Sequence, residues 1–174
     1  MLRWWIFALI SVGLLAFSWG PLRNPRSHGF YRFFAFEAIA AIVVLNIDRW
    51  FSHPFSALQI PSWLLLLLSL FLVVHGFVLL RTVGRATGGI ENTQVLVRQG
   101  AYRYIRHPLY ASLLALGWGA ALKNPSVPAL ALAVVASGAL FLTASAEEAE
   151  CLAKFGDAYR EYMRETKRFV PFVF

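Results

Sequence analysis

The sequence predicts an all-α polytopic membrane protein with about five transmembrane helices. Of the 174 residues, 59% are hydrophobic and only 14% are charged, with a mean hydropathy of +0.60. That composition excludes a disordered chain and is too apolar for an ordinary soluble domain. The apolar residues also fall into segments about long enough to cross a bilayer, and the basic residues collect on one side of those segments.

Five apolar segments can be delimited in order along the chain. They run from about Trp4 to Gly20, Phe33 to Ile47, Pro61 to Leu80, Pro108 to Leu122 and Ser126 to Ala146. At a rise of about 1.5 Å per residue, some reach across the bilayer core only marginally. The short connection Lys123-Asn124-Pro125 predicts that the last two spans form an antiparallel helical hairpin.

The basic residues predict the orientation of these spans. With five spans, one side of the membrane carries thirteen of the sixteen lysines and arginines, and the other side carries only Arg3, Arg49 and Lys123. Because cytoplasmic loops hold the excess of positive charge, we expect the N-terminus outside and the C-terminus in the cytoplasm. The net charge of +7 is thus explained by the membrane, and no nucleic-acid partner is expected.

The chain outside the spans is expected to belong to the same single domain, residues 1–174. Residues 1–80 supply three N-terminal spans, and residues 81–174 supply a loop, the hairpin and short C-terminal helices. Four glycines, Gly84, Gly88, Gly89 and Gly100, argue against a regular helix throughout the long loop. The tail from Glu147 onward is predicted to form two short helices separated at Gly156-Asp157.

Two polar motifs lie at the same predicted membrane face. Arg106 and His107 precede Pro108 at the start of the fourth span, and Glu147-Glu148 follow the fifth. Because the two spans are antiparallel, these ends should meet. Such groups are costly near a bilayer unless they are used, which suggests a polar ligand site. The alternative is that Arg106 and His107 anchor the chain beside lipid phosphates, while the glutamates are solvated.

Within the spans, Glu37 and His75 are the other ionisable residues, each expected about one turn from the cytoplasmic end of its helix. Either could be functional, or could be a buried or snorkelling side chain. His28 and His53 are expected in loops and carry no functional signal. No grouping of histidines and cysteines has metal-ligand spacing, so no metal is expected. Phosphate-binding and nucleophile-elbow motifs are also absent.

The second half of the chain resembles the integral-membrane methyltransferases that include isoprenylcysteine carboxyl methyltransferase and the phospholipid N-methyltransferases. The resemblance covers about half the chain, from Gln94 to the end. It is carried by Leu96-Val97, Gly100-Ala101-Tyr102, Arg106-His107-Pro108-Leu109-Tyr110, Glu147-Glu148, Phe155-Gly156-Asp157-Ala158-Tyr159-Arg160-Glu161-Tyr162 and Pro171, in the family's order and spacing.

The resemblance implies a cytosol-facing site for S-adenosylmethionine and transfer of its methyl group to a lipophilic or lipid acceptor. The implied cofactor contacts are Gln94, Val95, Leu96, Val97, Gly100, Tyr102, Arg106, His107, Pro108, Leu109, Tyr110, Glu147 and Glu148. His107 and Glu148 are the catalytic candidates, and Glu37 is a candidate on the acceptor side. Carboxylates suit the positive groups of the cofactor, and cations suit its carboxylate.

One departure from the family bears on the acceptor. Prenylcysteine enzymes place an arginine about one turn before the glutamate pair, whereas residues 141–146 here contain no basic residue. A prenylcysteine carboxylate is therefore disfavoured, and an amine, a thiol or another carboxylate stays open. The alternatives to a methyltransferase are a non-catalytic ligand-binding protein of the same fold and a small transporter. Oligomeric state cannot be read from the chain.

Overall fold

A computed structural model describes residues 2–52, 54–87, 89 and 93–173. Gly88 and His53 lie outside the described residues. Over these described residues the architecture is all-helical, with six α-helices: α1 (Leu2–Leu22), α2 (His28–Leu45), α3 (Gln59–Thr82), α4 (Pro108–Ala121), α5 (Val127–Phe155) and α6 (Asp157–Glu165). Two short 3₁₀ turns, Ile47–Arg49 and Gly100–Arg103, complete the description. The predicted fold class is confirmed.

The first five helices alternate in direction, so the bundle has two ends. One end holds the last residues of α1, α3 and α5 and the first residues of α2 and α4. We call it the cavity end, because a cavity between His28, Tyr102 and Glu147 lies there, and we call the other end the opposite end. Helices α1, α2, α3 and α5 are long and apolar enough to cross a membrane. Their exposed apolar surface, with residues such as Leu9, Leu64 and Phe71, suits contact with lipid. The chain is an integral membrane protein.

Helix α4 is much shorter than its neighbours. Its 14 residues cover about 21 Å at 1.5 Å each, against about 30 Å for a bilayer core. Alanines and glycines make up most of the buried face of α4, and Gly119 lies so close to Leu65 and Leu66 that an added Cβ would come within 3.2 Å of both. Small residues of this kind allow helices to pack closely inside a membrane. The predicted hairpin of α4 and α5 is confirmed.

Helix α5 extends further than the sequence analysis predicted. It continues without a break through Glu147 and Glu148 to Phe155, so the first of the two expected tail helices is its last part. The physical reason is that no glycine or proline interrupts residues 146–155, and most of them favour helix. The glutamate pair therefore lies two turns inside a helix. Gly156, with φ of +56°, then separates α5 from α6 as predicted.

Buried polar side chains hold the opposite end together. The end of α4 presents backbone carbonyls that have no partner within the helix. Three side chains donate to this region: Asn46 Nδ2 to Ala120 O at 2.8 Å, Ser62 Oγ to Gly119 O at 2.7 Å, and Gln59 Nε2 to Lys123 O at 2.8 Å. The Lys123 ammonium in turn donates to Gln59 Oε1 at 3.1 Å. This cluster, Asn46, Gln59, Ser62 and Lys123, closes the helix end.

Candidate active site

A polar cavity of about 300 Å³ occupies the space at the N-terminus of α4. It exists because α4 begins beside Glu147, whereas α5 continues for two more turns beyond that level. Its walls come from α2, α3, α4 and α5, and Thr93 and Tyr102 supply the loop side. A volume of this size is within the range of small-molecule sites. The short helix thus leaves a charged, partly enclosed chamber at one end of the bundle.

Glu148 is the centre of an ion cluster beside this cavity. Its side chain is only 5% exposed and accepts from Arg106 Nε at 2.8 Å and from Arg168 Nη2 at 2.5 Å. His107 Nε2 lies 3.3 Å from the same carboxylate. Two guanidinium groups therefore compensate the buried charge. Glu148 itself is not among the residues that line the cavity; it lies behind His107 and Arg106, which do.

The same ion cluster fixes the C-terminal segment against the start of α4. Arg106 N donates to Lys167 O at 2.8 Å, and His107 N donates to Arg168 O at 3.2 Å. An isolated parallel bridge pairs Ile105 with Lys167. The Arg106 guanidinium also donates to Thr166 O at 2.5 Å and to Met163 O at 3.3 Å, satisfying carbonyls at the end of α6. Arg106 thus joins three elements.

His107 stands at the bend that precedes α4. Its φ and ψ of −124° and 63° are not helical, as expected for a residue held before Pro108. The imidazole is 5% exposed and stacks on Tyr110, with ring centroids 5.4 Å apart. Its Nδ1 lies 3.7 Å from Glu147 Oε2, across the cavity wall. His107, Tyr110 and Glu147 all line the cavity, together with Arg106, Leu109 and Tyr102.

The loop before α4 is positioned by a close approach to α3. Ala101 N donates to His75 Nε2 at 3.2 Å, and His75 stacks on Phe71. Gly100 has φ of +57°, and a Cβ added there would lie 2.3 Å from His75 Nε2. Only glycine combines that conformation with so little space. His75 is therefore a support for the loop, and it lies two turns inside α3 rather than one turn from the end.

Tyr102 is carried by this loop into the cavity wall. The backbone carbonyl of Tyr102 accepts from the Tyr162 hydroxyl at 2.6 Å, which ties the loop to α6. Burial raises the pKa of Tyr102 well above its usual range, and the nearby negative charge of Glu147 raises it further. Tyr102 therefore presents a neutral hydroxyl to the cavity.

Several expected site residues lie away from the cavity. Among the described residues of the loop, Thr93 lines it, whereas the stretch Gln94 to Val97 does not: the amides of Gln94 and Val95 donate to Gly84 O, and Val97 is buried beside Gly84. Pro108 is buried as the first residue of α4, and Gly100 contacts His75.

Glu37 also lies apart from the cavity, facing α1. It accepts from Ser11 Oγ at 2.7 Å, and its second carboxylate oxygen has no hydrogen-bond partner among the described residues. It is more than two turns inside α2, because that helix begins at His28, five residues before the apolar run. The expectation that Glu37 lies one turn from the helix end is wrong.

The structure brings to the cavity several residues that sequence reasoning missed. His28, expected in a loop, begins α2, and Arg32 follows one turn later. From α5 come Glu150, Cys151, Lys154 and Phe155. The Lys154 ammonium donates to Thr93 O at 2.5 Å, and Arg32 is 8% exposed, near the rings of Phe17 and Phe36. Only the four-residue spacing of His28 and Arg32, and of Glu147, Cys151 and Phe155, could have indicated shared helix faces.

The charges in the cavity are of both signs. Glu147 and Glu150 provide carboxylates; His28, Arg32, Arg106 and Lys154 provide cations or potential cations. A zwitterionic ligand that also carries a further positive group, as S-adenosylmethionine does, fits such a lining. Glu147 would face its positive groups, and Arg32 and Lys154 would face its carboxylate. Within the described residues no cluster of His, Cys, Asp and Glu could hold a metal ion.

Fold and site together define an integral membrane protein with a small-molecule cavity at one end of its helical bundle. Residues 58–158 match the family model for phospholipid methyltransferase. That range is more than half of the chain and contains the loop, the hairpin and most of the cavity. The chain therefore belongs to the phospholipid methyltransferase family, and the resemblance noted in the sequence is confirmed.

The curated relatives of this chain are named for one acceptor, methanethiol. The methanethiol S-methyltransferase of Crocosphaera subtropica is 29% identical over 171 residues, which is 97% of this chain and 59% of the relative. Methanethiol S-methyltransferase 1 of Bradyrhizobium diazoefficiens is 25% identical over 169 residues, 95% of this chain and 52% of the relative. The corresponding protein of Mycobacterium tuberculosis is 30% identical over 112 residues, 63% and 45% of the two chains. The chain spans about half the length of these relatives. No solved structure matches it.

Proposed function

We propose that this protein transfers a methyl group from S-adenosylmethionine to a small lipophilic thiol at the cytoplasmic face of the membrane. The observation that carries the proposal is the cavity at the start of α4, where Arg106, His107 and Tyr110 of the family motif face Glu147. The cofactor would supply an activated methyl group. The protein would bind both reactants, align them and exclude water, which can provide much of the acceleration of such a transfer.

A thiol is favoured over the other acceptors by two findings. The curated relatives are named for a thiol substrate. The described part of α5 just before the glutamates carries no cation that could hold a substrate carboxylate, and the Arg168 guanidinium near Phe141 is already paired with Glu148. A phospholipid amine is the next acceptor to test, given the family's name.

The acceptor would reach the site from the bilayer. An apolar groove of about 560 Å³ runs between α3 and α4 and ends at Phe169. The ring of Phe169 lies 6.1 Å from that of His107, so the groove and the polar cavity are separated by little more than one side chain. An apolar thiol dissolved in the membrane can occupy such a groove.

The proposal also states which parts of the chain contribute residues to the cofactor site. Residues 81–174 were expected to form the cofactor-binding half, and residues 1–80 only three spans. His28 and Arg32 line the cavity, so we assign the start of α2 to the site as well. The orientation with this end in the cytoplasm agrees with the concentration of basic residues there.

The test is calorimetric titration of S-adenosylmethionine into detergent-solubilised protein, followed by transfer of a labelled methyl group to methanethiol or to phosphatidylethanolamine. Glu147→Gln removes the cavity carboxylate that we assign to the positive groups of the cofactor, and Glu161→Gln, at an exposed acid near Arg98, is the matched control. We expect saturable binding, weakened at least tenfold by Glu147→Gln alone, and methylation of the thiol. Binding without transfer to either acceptor would favour a ligand-binding protein instead. No binding by folded protein would overturn the proposal.

A further inference from the structure

His28 and Glu150 form a close pair in the wall of the cavity. His28 Nδ1 lies 2.6 Å from Glu150 Oε2, and the backbone N–H of His28 donates to Glu150 Oε1 at 3.3 Å. Two contacts to one carboxylate fix the orientation of both side chains. With Nδ1–H directed to the carboxylate, the ring is held in the tautomer whose Nε2 can accept a proton.

This arrangement has a chemical use that the rest of the site does not supply. An alkyl thiol is mostly protonated near neutral pH, and the thiolate is the nucleophile. Transfer of a methyl group to a thiol therefore requires removal of a proton. Both ring nitrogens of His107 already lie beside carboxylates, Nδ1 beside Glu147 and Nε2 beside Glu148. Tyr102 carries a neutral hydroxyl whose pKa is raised. A histidine oriented by a carboxylate is the arrangement that enzymes use for general-base catalysis.

We propose that His28 is the general base that deprotonates the acceptor thiol and that Glu150 is its positioning residue, an inference that rests on the proposed function. The acceptor sulfur gives its proton to His28 Nε2 and forms a bond to the methyl carbon, whose bond to the sulfonium sulfur breaks. The electron pair of that bond stays on the cofactor sulfur. Glu150 stabilises the imidazolium that results, and its side chain, 48% exposed, offers the proton a route to water.

Other charged groups share the surroundings of His28. Arg32 lies one turn further along α2; Glu147, Cys151 and Lys154 come from α5; Arg106 and His107 come from the start of α4; and Tyr102 and Tyr110 complete the titratable lining. Arg106 is paired with Glu148, and Lys154 donates to Thr93 O. Glu150 contacts the His28 ring directly, with Nδ1 2.6 Å from Oε2.

The experiment compares two thiols in the wild-type protein and in His28→Gln, which can still donate to Glu150 but cannot take a proton. At about pH 7.5, methanethiol is mostly protonated, whereas thiophenol is largely ionised. We expect His28→Gln to lower kcat/KM for methanethiol at least a hundredfold, the usual size of a general-base contribution, and for thiophenol less than threefold. The Kd for S-adenosylmethionine, measured by titration, should change less than twofold.

Glu150→Gln tests the positioning role through the pH profile. It keeps an acceptor oxygen for Nδ1–H but removes the charge, so the imidazolium becomes easier to deprotonate. We expect the acid limb of the kcat/KM profile for methanethiol to move to lower pH in Glu150→Gln. In His28→Gln we expect it to be replaced by a rate that keeps rising with pH as the thiol itself ionises.

The outcomes separate the two proposals. Equal losses on both thiols in His28→Gln, or an acid limb that stays at its wild-type pH in that variant, would overturn the assignment of His28 while leaving the methyltransferase intact. A wild-type protein that binds cofactor but methylates neither thiol would overturn the proposed thiol methyltransferase, and the assignment of His28 would fall with it.

Discussion

The two ends of helix α4 carry buried polar clusters that differ in what surrounds them. At the opposite end, Asn46, Gln59, Ser62 and Lys123 bind one another or the last carbonyls of α4. At the cavity end, Arg106, His107, Arg168 and Glu148 form an ion cluster whose outer side lines an open chamber. Both clusters consist of buried polar groups with partners, but the second adjoins a cavity lined by further polar groups.

Buried charged residues at the two ends differ in whether a cavity lies beside them. Burial and charge alone mark Lys123 and Glu148 as equally unusual, since both are 4% exposed. The Lys123 ammonium lies 3.4 Å from the centre of the Trp63 ring and does not line the cavity at the start of α4. Burial lowers the pKa of Lys123, as expected for a cation away from water. A perturbed charged group therefore indicates a site here only where open space adjoins it.

The largest effect is expected from Glu148→Gln at the cavity end. It leaves Arg106 and Arg168 without their compensating charge, and breaking a buried ion pair in this way costs about 3–5 kcal/mol. We expect the melting temperature in detergent to fall by roughly 10 °C, with loss of cofactor binding as the C-terminal segment detaches. Glu165→Gln, at an exposed acid near Arg98, is the control. An unchanged melting temperature would show that the cluster does not hold this end together.

A smaller loss is expected from Gly100→Ala, which acts on the loop of the same end. The new Cβ would lie within 2.3 Å of His75 Nε2, and the left-handed backbone adds strain of about 1–3 kcal/mol. We expect cofactor binding to weaken because Tyr102 shifts with the loop.

The double variant Gly100→Ala, His75→Ala separates the two causes. Removing the imidazole relieves the clash but not the backbone strain, so we expect the double variant to be more stable than additivity predicts. Strict additivity of the two unfolding free energies would show that His75 does not restrict position 100.

Features that depend on residues close together in the sequence could be predicted. The hydrophobic segments and the hairpin follow from hydropathy and spacing, whereas the motif from Tyr102 to Tyr110 is recognised by its resemblance to the family. The structure places most of that motif around one cavity. Helix boundaries were less predictable. A hydrophobic run ends where the lipid ends, whereas α5 and α2 extend beyond their apolar runs into polar sequence.

Contacts between distant residues could not be predicted. His28 and Glu150 are 122 residues apart, and nothing near His28 indicates a partner, since a histidine before an apolar run resembles any interfacial residue. The contact of His75 with the loop at Gly100 and Ala101 could not be predicted for the same reason. The role of Lys123 likewise depends on Gln59 and Trp63, which belong to another helix.

Lys123→Met tests the buried polar cluster at the opposite end. Methionine keeps the length and apolar stem of lysine but removes the charge that faces Trp63 and Gln59. A desolvated cation–π contact contributes about 2 kcal/mol, and the loss is offset because a buried ammonium no longer has to be desolvated. We expect the unfolding free energy to change by about 1 kcal/mol and the Kd for S-adenosylmethionine to stay unchanged. Weaker cofactor binding would show that the two ends are coupled.

The smallest effect on stability, with a clear effect on binding, is expected from Glu147→Gln. Its side chain is 30% exposed and faces the cavity, so both water and His107 contact it. A partly exposed contact of this kind contributes little to folding. The melting temperature should therefore stay within a degree or two of the wild type, while the cofactor Kd rises. Glu147 and Glu148 are adjacent in the chain, yet Glu147→Gln should weaken binding without a loss of stability, whereas Glu148→Gln should lower stability and lose binding as a consequence. Similar responses of the two variants would mean that open space beside a charged group does not distinguish a ligand site in this protein.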